Sequence, residues 1–257
     1  MKRYELTDTL RGLSIISMIA FHTCWIMSHF GIAIEQETLF GTGFTIWERS
    51  ICIAFITIAG FSFSLGHDHI RSGLKIFVWG LIIMLGTVFL VPGIRIIFGI
   101  LTFIGTATLL MIPIDKAMGK LIGRSNTFAA VIFAAAVLLF LLTYHINIGY
   151  IGPASHQILL PAGLYKGLFA TYIGFMEPGF VSDDYFSVLP WFFLYMSGYA
   201  LHKLINGSKA EDLFYKLKIP GINTIGRHSL AIYLIHPVVI YAVILLLTSV
   251  FKRMITR

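Results

Sequence analysis

A chain of 257 residues that is 57% apolar and only 12% charged, with a mean hydropathy of +0.85, is too apolar for a water-soluble domain, where charged residues make up about a quarter. The formal charge of +7 is no nucleic-acid signal, because no basic, aromatic-interleaved surface segment carries it. The two cysteines, Cys24 and Cys52, both fall in apolar runs and read as free thiols rather than a disulfide framework.

A membrane span needs about 20 apolar residues. Seven stretches meet or approach that length: about 11–32, 44–65, 74–92, 94–114, 126–144, 187–205 and 228–250. The first is expected to stay, since Glu5 and Asp8 sit among its basic residues and no small-residue cleavage site follows it. Pro92-Gly93 predicts a tight turn between the third and fourth spans. Between the fifth and sixth runs a long loop, 145–186. Its segment 157–175 (QILLPAGLYKGLFATYIGF) is too broken by Pro161, glycines and Lys166 for a span, and reads as interfacial or re-entrant. The expectation is an all-α integral membrane protein of about seven transmembrane helices, one domain over 1–257, without internal repeats.

Cationic residues concentrate on cytoplasmic loops. With the N-terminus in the cytoplasm, all but six of the 19 Lys and Arg residues (Arg49, Arg95, Lys166, Lys252, Arg253 and Arg257) fall on that side. An eighth span would bring the basic C-terminal tail inside but push Lys203, Lys209, Lys216, Lys218 and Arg227 out, so seven is the better count.

The first span, LRGLSIISMIAFHTCW, carries two ionisable residues, which in a membrane helix mark functional sites by default. Arg11 and His22 are eleven residues apart, three turns plus about 20°, so they share a face with Asp8, Met18, Trp25 and His29. At 1.5 Å per residue His22 lies about 16 Å beyond Arg11, near mid-membrane. The plainer readings are a snorkelling Arg11 anchored by Asp8 and a His22 that only hydrogen-bonds a neighbouring helix. His29 reads as a surface residue, and Cys24 points away from the His22 face.

The last span, TIGRHSLAIYLIHPVV, places His236 nine residues after Arg227, at a similar depth. Pro237 loosens the helix there by removing a backbone donor. Ser229 and Tyr233 share the His236 face, whereas Arg227 points away if the helix is regular. A structural hydrogen bond is the competing reading of His236, and solvent is that of His228. Two imidazoles at matching depth suit proton transfer at neutral pH.

These residues resemble a known group. The pattern from Asp8 to His22 is similar to the first helix of transmembrane acyltransferases, with the Arg-x10-His spacing of the acyltransferase-3 family. FITIAGFSFSL (55–65), FGILTFIG (98–105), DYFSVLPWFFLYMSGY (184–199) and IGRHSLAIYLIHP (225–237) resemble bacterial relatives of heparan-alpha-glucosaminide N-acetyltransferase. One departure stands out: Thr102 occupies a position that is often His in that family, which bears on acceptor choice. The resemblance implies acyl transfer from acyl-CoA, acetyl-CoA foremost, to an amine or hydroxyl of a sugar or glycan, in the bacterial inner or plasma membrane, with no metal.

On that reading Asp8, Arg11, Arg227 and His228, with Lys75 or Arg124 as further candidates, gather the anionic end of the coenzyme at the cytoplasmic mouth. His22 is the general base. Tyr233, His236 or Thr102 donates to the tetrahedral intermediate. A covalent acetyl-histidine is open but has no sequence support. An acceptor entering from the outer side would meet Arg49, Asp184 and Trp191, although tryptophans also mark interfaces and Asp184 also suits a cap on the following helix. GHDH (66–69) reads as a solvated turn rather than a metal site. The glycines of GTGF and TIAGF read as helix-packing positions.

Two alternatives remain beside acyl transfer. A proton-coupled transporter would also carry intramembrane His and Arg, though with inverted repeats. A haem protein would use His22 and His236 as axial ligands. A retinal-type receptor is disfavoured by the lack of a lysine inside the last span. Partners expected are the lipid bilayer, the acyl-CoA and the glycan, with no nucleic acid; a homodimer is compatible with the sequence.

Overall fold

A computed structural model describes residues 3–32, 34–90, 94–122 and 126–255, so the Pro92-Gly93 turn and Arg124 lie outside the described residues. Among the described residues the regular structure is helical apart from one hairpin of two two-residue strands. Among the described residues six helices of 19 to 25 residues are long and apolar enough to cross a membrane, which makes this an all-α membrane protein. The sixth predicted span, 187–205, is shorter than expected. Its helix begins only after Pro190 and runs for 15 residues, Trp191–Ile205, about 22 Å of rise. Large apolar side chains are exposed along the uncharged stretches of the helices, for example Val238, Leu246 and Leu247 near the C-terminus, which is the pattern of lipid-facing surface.

Two compact units divide the chain. The terminal unit combines residues up to Phe55 with residues from Lys209 onward. It holds α1 (Glu5–His29), α2 (Gln36–Leu39), the first part of α3 (Thr42–Phe63), and three helices from the other end of the sequence: α9 (Glu211–Lys216), α10 (Ile222–Arg227) and α11 (Ser229–Ile255). Glycines decide how α1 meets α10. A Cβ on Gly12 would run into the Ile222 carbonyl, and one on Gly226 into the Asp8 carbonyl, so only glycine lets these backbones touch. Where the sequence suggests one helix through TIGRHSL, the chain breaks at His228, separating α10 from α11. Tyr4 fastens the start of α1 to α9. Its hydroxyl donates to Glu211 Oε1 at 2.6 Å, and Tyr215 donates to the same oxygen at 2.8 Å. Burial, with Glu211 beside it, raises the Tyr4 phenol above its ordinary range and keeps its proton for that bond.

The central unit, Ile56–Ser208, holds the rest of α3, then α4 (His69–Leu90), α5 (Ile100–Ile122), α6 (Asn126–Thr143), β1 (Tyr150–Ile151), β2 (Ile158–Leu159), α7 (Gly167–Ile173) and α8 (Trp191–Ile205). Here too small residues set the contacts. Gly80 of α4 lies against Thr102, and Gly105 of α5 against Phe77. The glycine of TIAGF, Gly60, packs against the Tyr195 backbone, as its helix-packing reading expected. In GTGF the expectation is not met: Gly43 faces open space. The 145–186 segment is a hairpin with antiparallel pairs Tyr150↔Leu159 and Ile151↔Ile158, followed by the seven-residue α7, too short to cross a bilayer. Tyr165 ties it down by donating to the Ile146 carbonyl at 2.6 Å, and burial raises that phenol as well.

Candidate functional site

At the N-terminal end of α1 the terminal unit gathers a cluster of charge around a buried carboxylate. Asp8 is 4% exposed. Its Oδ1 accepts from Arg11 at 3.0 Å, and its Oδ2 from Arg3 at 2.6 Å, with Arg227 Nε 3.5 Å away. Glu5 accepts from Arg227 at 2.9 Å and from Asn223 Nδ2 at 2.7 Å. Among the described residues three guanidinium groups face two carboxylates. The break at His228 makes this possible. Arg227 does not follow the α11 register and point away, as a regular helix would require. It ends α10 instead and reaches α1. The bonds orient the planar guanidinium forks, an arrangement suited to anions with several oxygens.

Three turns along α1, His22 meets the second histidine. The His22 and His236 rings touch edge to face, with centroids 5.0 Å apart and planes at 88°. Neither ring nitrogen of His22 has a hydrogen-bond partner among the described residues. His236 is buried; its Nδ1 lies 2.7 Å from the Tyr233 carbonyl and 3.3 Å from that of Ile232. Both neighbours are acceptors, so Nδ1 carries the hydrogen. Nε2 is buried without a partner among the described residues. Nε2 of the neutral ring is therefore a lone pair and not a donor, which does not fit the expectation that His236 donates to a tetrahedral intermediate. The Tyr233 ring lies 5.6 Å from that of His236. Because the two imidazoles are in contact, they do not flank a haem plane in this arrangement.

The remaining expected site residues make other contacts. His228 is exposed, with Nδ1 on the Thr224 carbonyl at 3.0 Å. Arg49, expected to meet the acceptor from the outer side, lies two turns inside α3. Thr102, Asp184 and Trp191 belong to the central unit. The Thr102 hydroxyl is buried and donates to the Gly99 carbonyl at 2.6 Å. Trp191 is buried against Phe140, Tyr144 and Phe186 rather than set at an interface. Asp184 caps a helix, but not the one that follows it. Its Oδ2 accepts the Ile100 N–H at 3.1 Å, at the first residue of α5. Asp184→Ala is accordingly expected to cost about 1 kcal/mol of stability, the scale of a lost cap, with turnover unchanged. Thermal unfolding beside an acceptor titration checks this; a raised acceptor KM would put Asp184 back in the acceptor site.

Sequence reasoning missed Asn223, the role of Glu5, and the reason for Gly12 and Gly226. A glycine in each of the two charged motifs, LRG and IGR, was the available signal. Among the described residues no three His, Cys, Asp or Glu side chains gather to hold a metal.

Comparison with known proteins places this arrangement. No curated protein and no solved structure matches the chain. A family model described as heparan-alpha-glucosaminide N-acetyltransferase, catalytic, matches residues 3–238. That match takes in both clusters and most of the chain, and the chain belongs to this family of membrane acetyltransferases.

Proposed function

We propose that the protein transfers an acetyl group from cytosolic acetyl-CoA to an amine or hydroxyl of a sugar or glycan, with His22 as general base. The observation that carries this reading is the polar path along α1, from the guanidinium cluster at Asp8 to the paired imidazoles. Eleven residues at 1.5 Å make that path about 16 Å long. It suits a donor with phosphates at one end and a thioester at the tip of a slender arm. With the N-terminus in the cytoplasm, the guanidinium end opens where coenzyme A is found, and the acceptor arrives from the other side of the inner or plasma membrane.

The chemistry needs one proton moved twice. His22 takes the hydrogen from the acceptor N–H or O–H as its nitrogen or oxygen bonds to the thioester carbonyl carbon. The C–S bond then breaks, and the thiolate leaves with the proton from the imidazolium. The Tyr233 hydroxyl, one turn before His236, is the donor for the oxyanion. Arg11 and Arg227, held by Asp8 and Glu5, bind the phosphates.

Purified protein in lipid nanodiscs, given labelled acetyl-CoA and a panel of amino sugars and glycan fragments, tests the reading. Thioester cleavage with label on an acceptor is expected; absence of both CoA binding and cleavage would sink it. Arg11→Ala is expected to raise the KM for acetyl-CoA on the order of tenfold with little change in kcat, because the lost contact is a charge-assisted one to the donor.

A further inference from the structure

The lone pair on His236 has a cause in the sequence. In a regular helix the N–H of residue 237 would bond the carbonyl of residue 233. Residue 237 is proline, which has no N–H, so the Tyr233 carbonyl loses its helical donor. That carbonyl is the one His236 Nδ1 reaches, at 2.7 Å, the shorter of its two contacts. The adjacent proline thus makes an acceptor available beside the ring, and the bond to it puts the hydrogen on Nδ1. Nε2 is left as a buried acceptor with no donor among the described residues. A buried acceptor without a partner is costly unless something donates to it. Of the titratable rings in contact with His236, His22 is at 5.0 Å and Tyr233 at 5.6 Å between centroids.

We propose that Pro237 is a positioning residue: by offering no N–H that competes with His236 Nδ1–H at the Tyr233 carbonyl it holds Nε2 as the acceptor for an N–H of His22, and so fixes which His22 nitrogen is the base. The inference rests on the acyl-transfer reading above and adds its internal order. The chain of groups runs from the Tyr233 carbonyl to His236 Nδ1–H, from His236 Nε2 to one His22 nitrogen carrying hydrogen, and from the other His22 nitrogen to the acceptor. When His22 accepts the proton it becomes an imidazolium, and the lone pair of His236 Nε2 in the neighbouring ring is the acceptor that its second N–H turns to, the role a carboxylate plays behind the histidine of a hydrolase triad. Unlike a carboxylate, the neutral imidazole performs it without placing a negative charge in the membrane.

Histidine tautomers are read directly by 15N NMR of protein carrying labelled histidine, in nanodiscs and without substrate. His236→Asn assigns the His236 signals. Wild type is expected to show His236 as a single tautomer with hydrogen on Nδ1 only. Pro237→Ala restores an N–H that competes for the Tyr233 carbonyl. It is expected to populate the Nε2–H form and to lower kcat on the order of tenfold, with the KM for acetyl-CoA unchanged. His236→Asn keeps a donor for that carbonyl but removes Nε2, and is expected to lose at least as much rate. A wild-type His236 with hydrogen on Nε2 would overturn the proposal, as would a Pro237→Ala variant with tautomer and rate both unaltered. The wild-type spectrum decides even where Pro237→Ala does not fold. It is also independent of turnover: failure of the acyl-transfer reading appears as absent thioester cleavage with the tautomer intact.

Discussion

His22→Ala is expected to lower acetyl transfer by about 10²- to 10⁴-fold, the usual contribution of a positioned general base, while leaving most of the affinity for acetyl-CoA. The two ends of the path on α1 account for the split. The guanidinium groups proposed to meet the phosphates are three turns from the imidazole, so removing the ring leaves Arg3, Arg11 and Arg227 on Asp8 and Glu5. Arg11→Ala inverts the pattern, with donor binding lost before turnover. Binding of acetyl-CoA by calorimetry, beside single-turnover rates with the acceptor, separates the two. A His22→Ala enzyme that kept the full rate would remove His22 from the role of base.

Asp8→Ala is expected to be the most damaging change to the fold. The carboxylate is nearly buried and draws three guanidinium groups together across α1 and α10. Removing one partner of a buried ionic network leaves the others uncompensated, at a cost of about 3 kcal/mol here, since the arginines retain some exposure. For a chain of this size that is a fall in Tm on the order of 10 °C. Arg3→Ala, at the most exposed of the three partners, should cost far less. Thermal unfolding in detergent, followed by tryptophan fluorescence, measures both. Equal losses would mean that the cluster does not hold the helices together.

Much of this site is legible in the sequence because it is periodic. The eleven-residue spacing of Arg11 and His22 is a property of one helix, and helical geometry carries it into space without tertiary information. The pairing of His22 with His236 follows from equal depth in two spans. What fails is what depends on backbone approach. TIGRHSL reads as a continuous helix, since nothing in its hydropathy marks a break. The chain breaks at His228, just past the glycine, Gly226, that lets α10 lie directly on α1, and Arg227 at the end of α10 reaches Glu5. Asp184 looks like a cap for its own following helix, yet it serves the Ile100 N–H of α5, 84 residues earlier. Trp191 carries the signature of an interfacial residue, but rings from α6 and from the segment before α8 enclose it. Long-range packing of this kind has no local period to read.

The terminal unit also imposes an order of events on biosynthesis. Arg227 follows Asp8 by 219 residues (227 − 8), which at ~5–20 residues per second is a wait of roughly 10–45 s on the ribosome. Throughout that interval α1 sits in the membrane with its carboxylate and its mid-depth imidazole but without α10 or α11. Arg3 and Arg11, both close in sequence, bond Asp8 from the same end of the chain and keep the nascent helix from exposing an unneutralised charge to lipid. A product stalled before α10 would carry the entire central unit and still possess neither the complete guanidinium cluster nor the histidine pair.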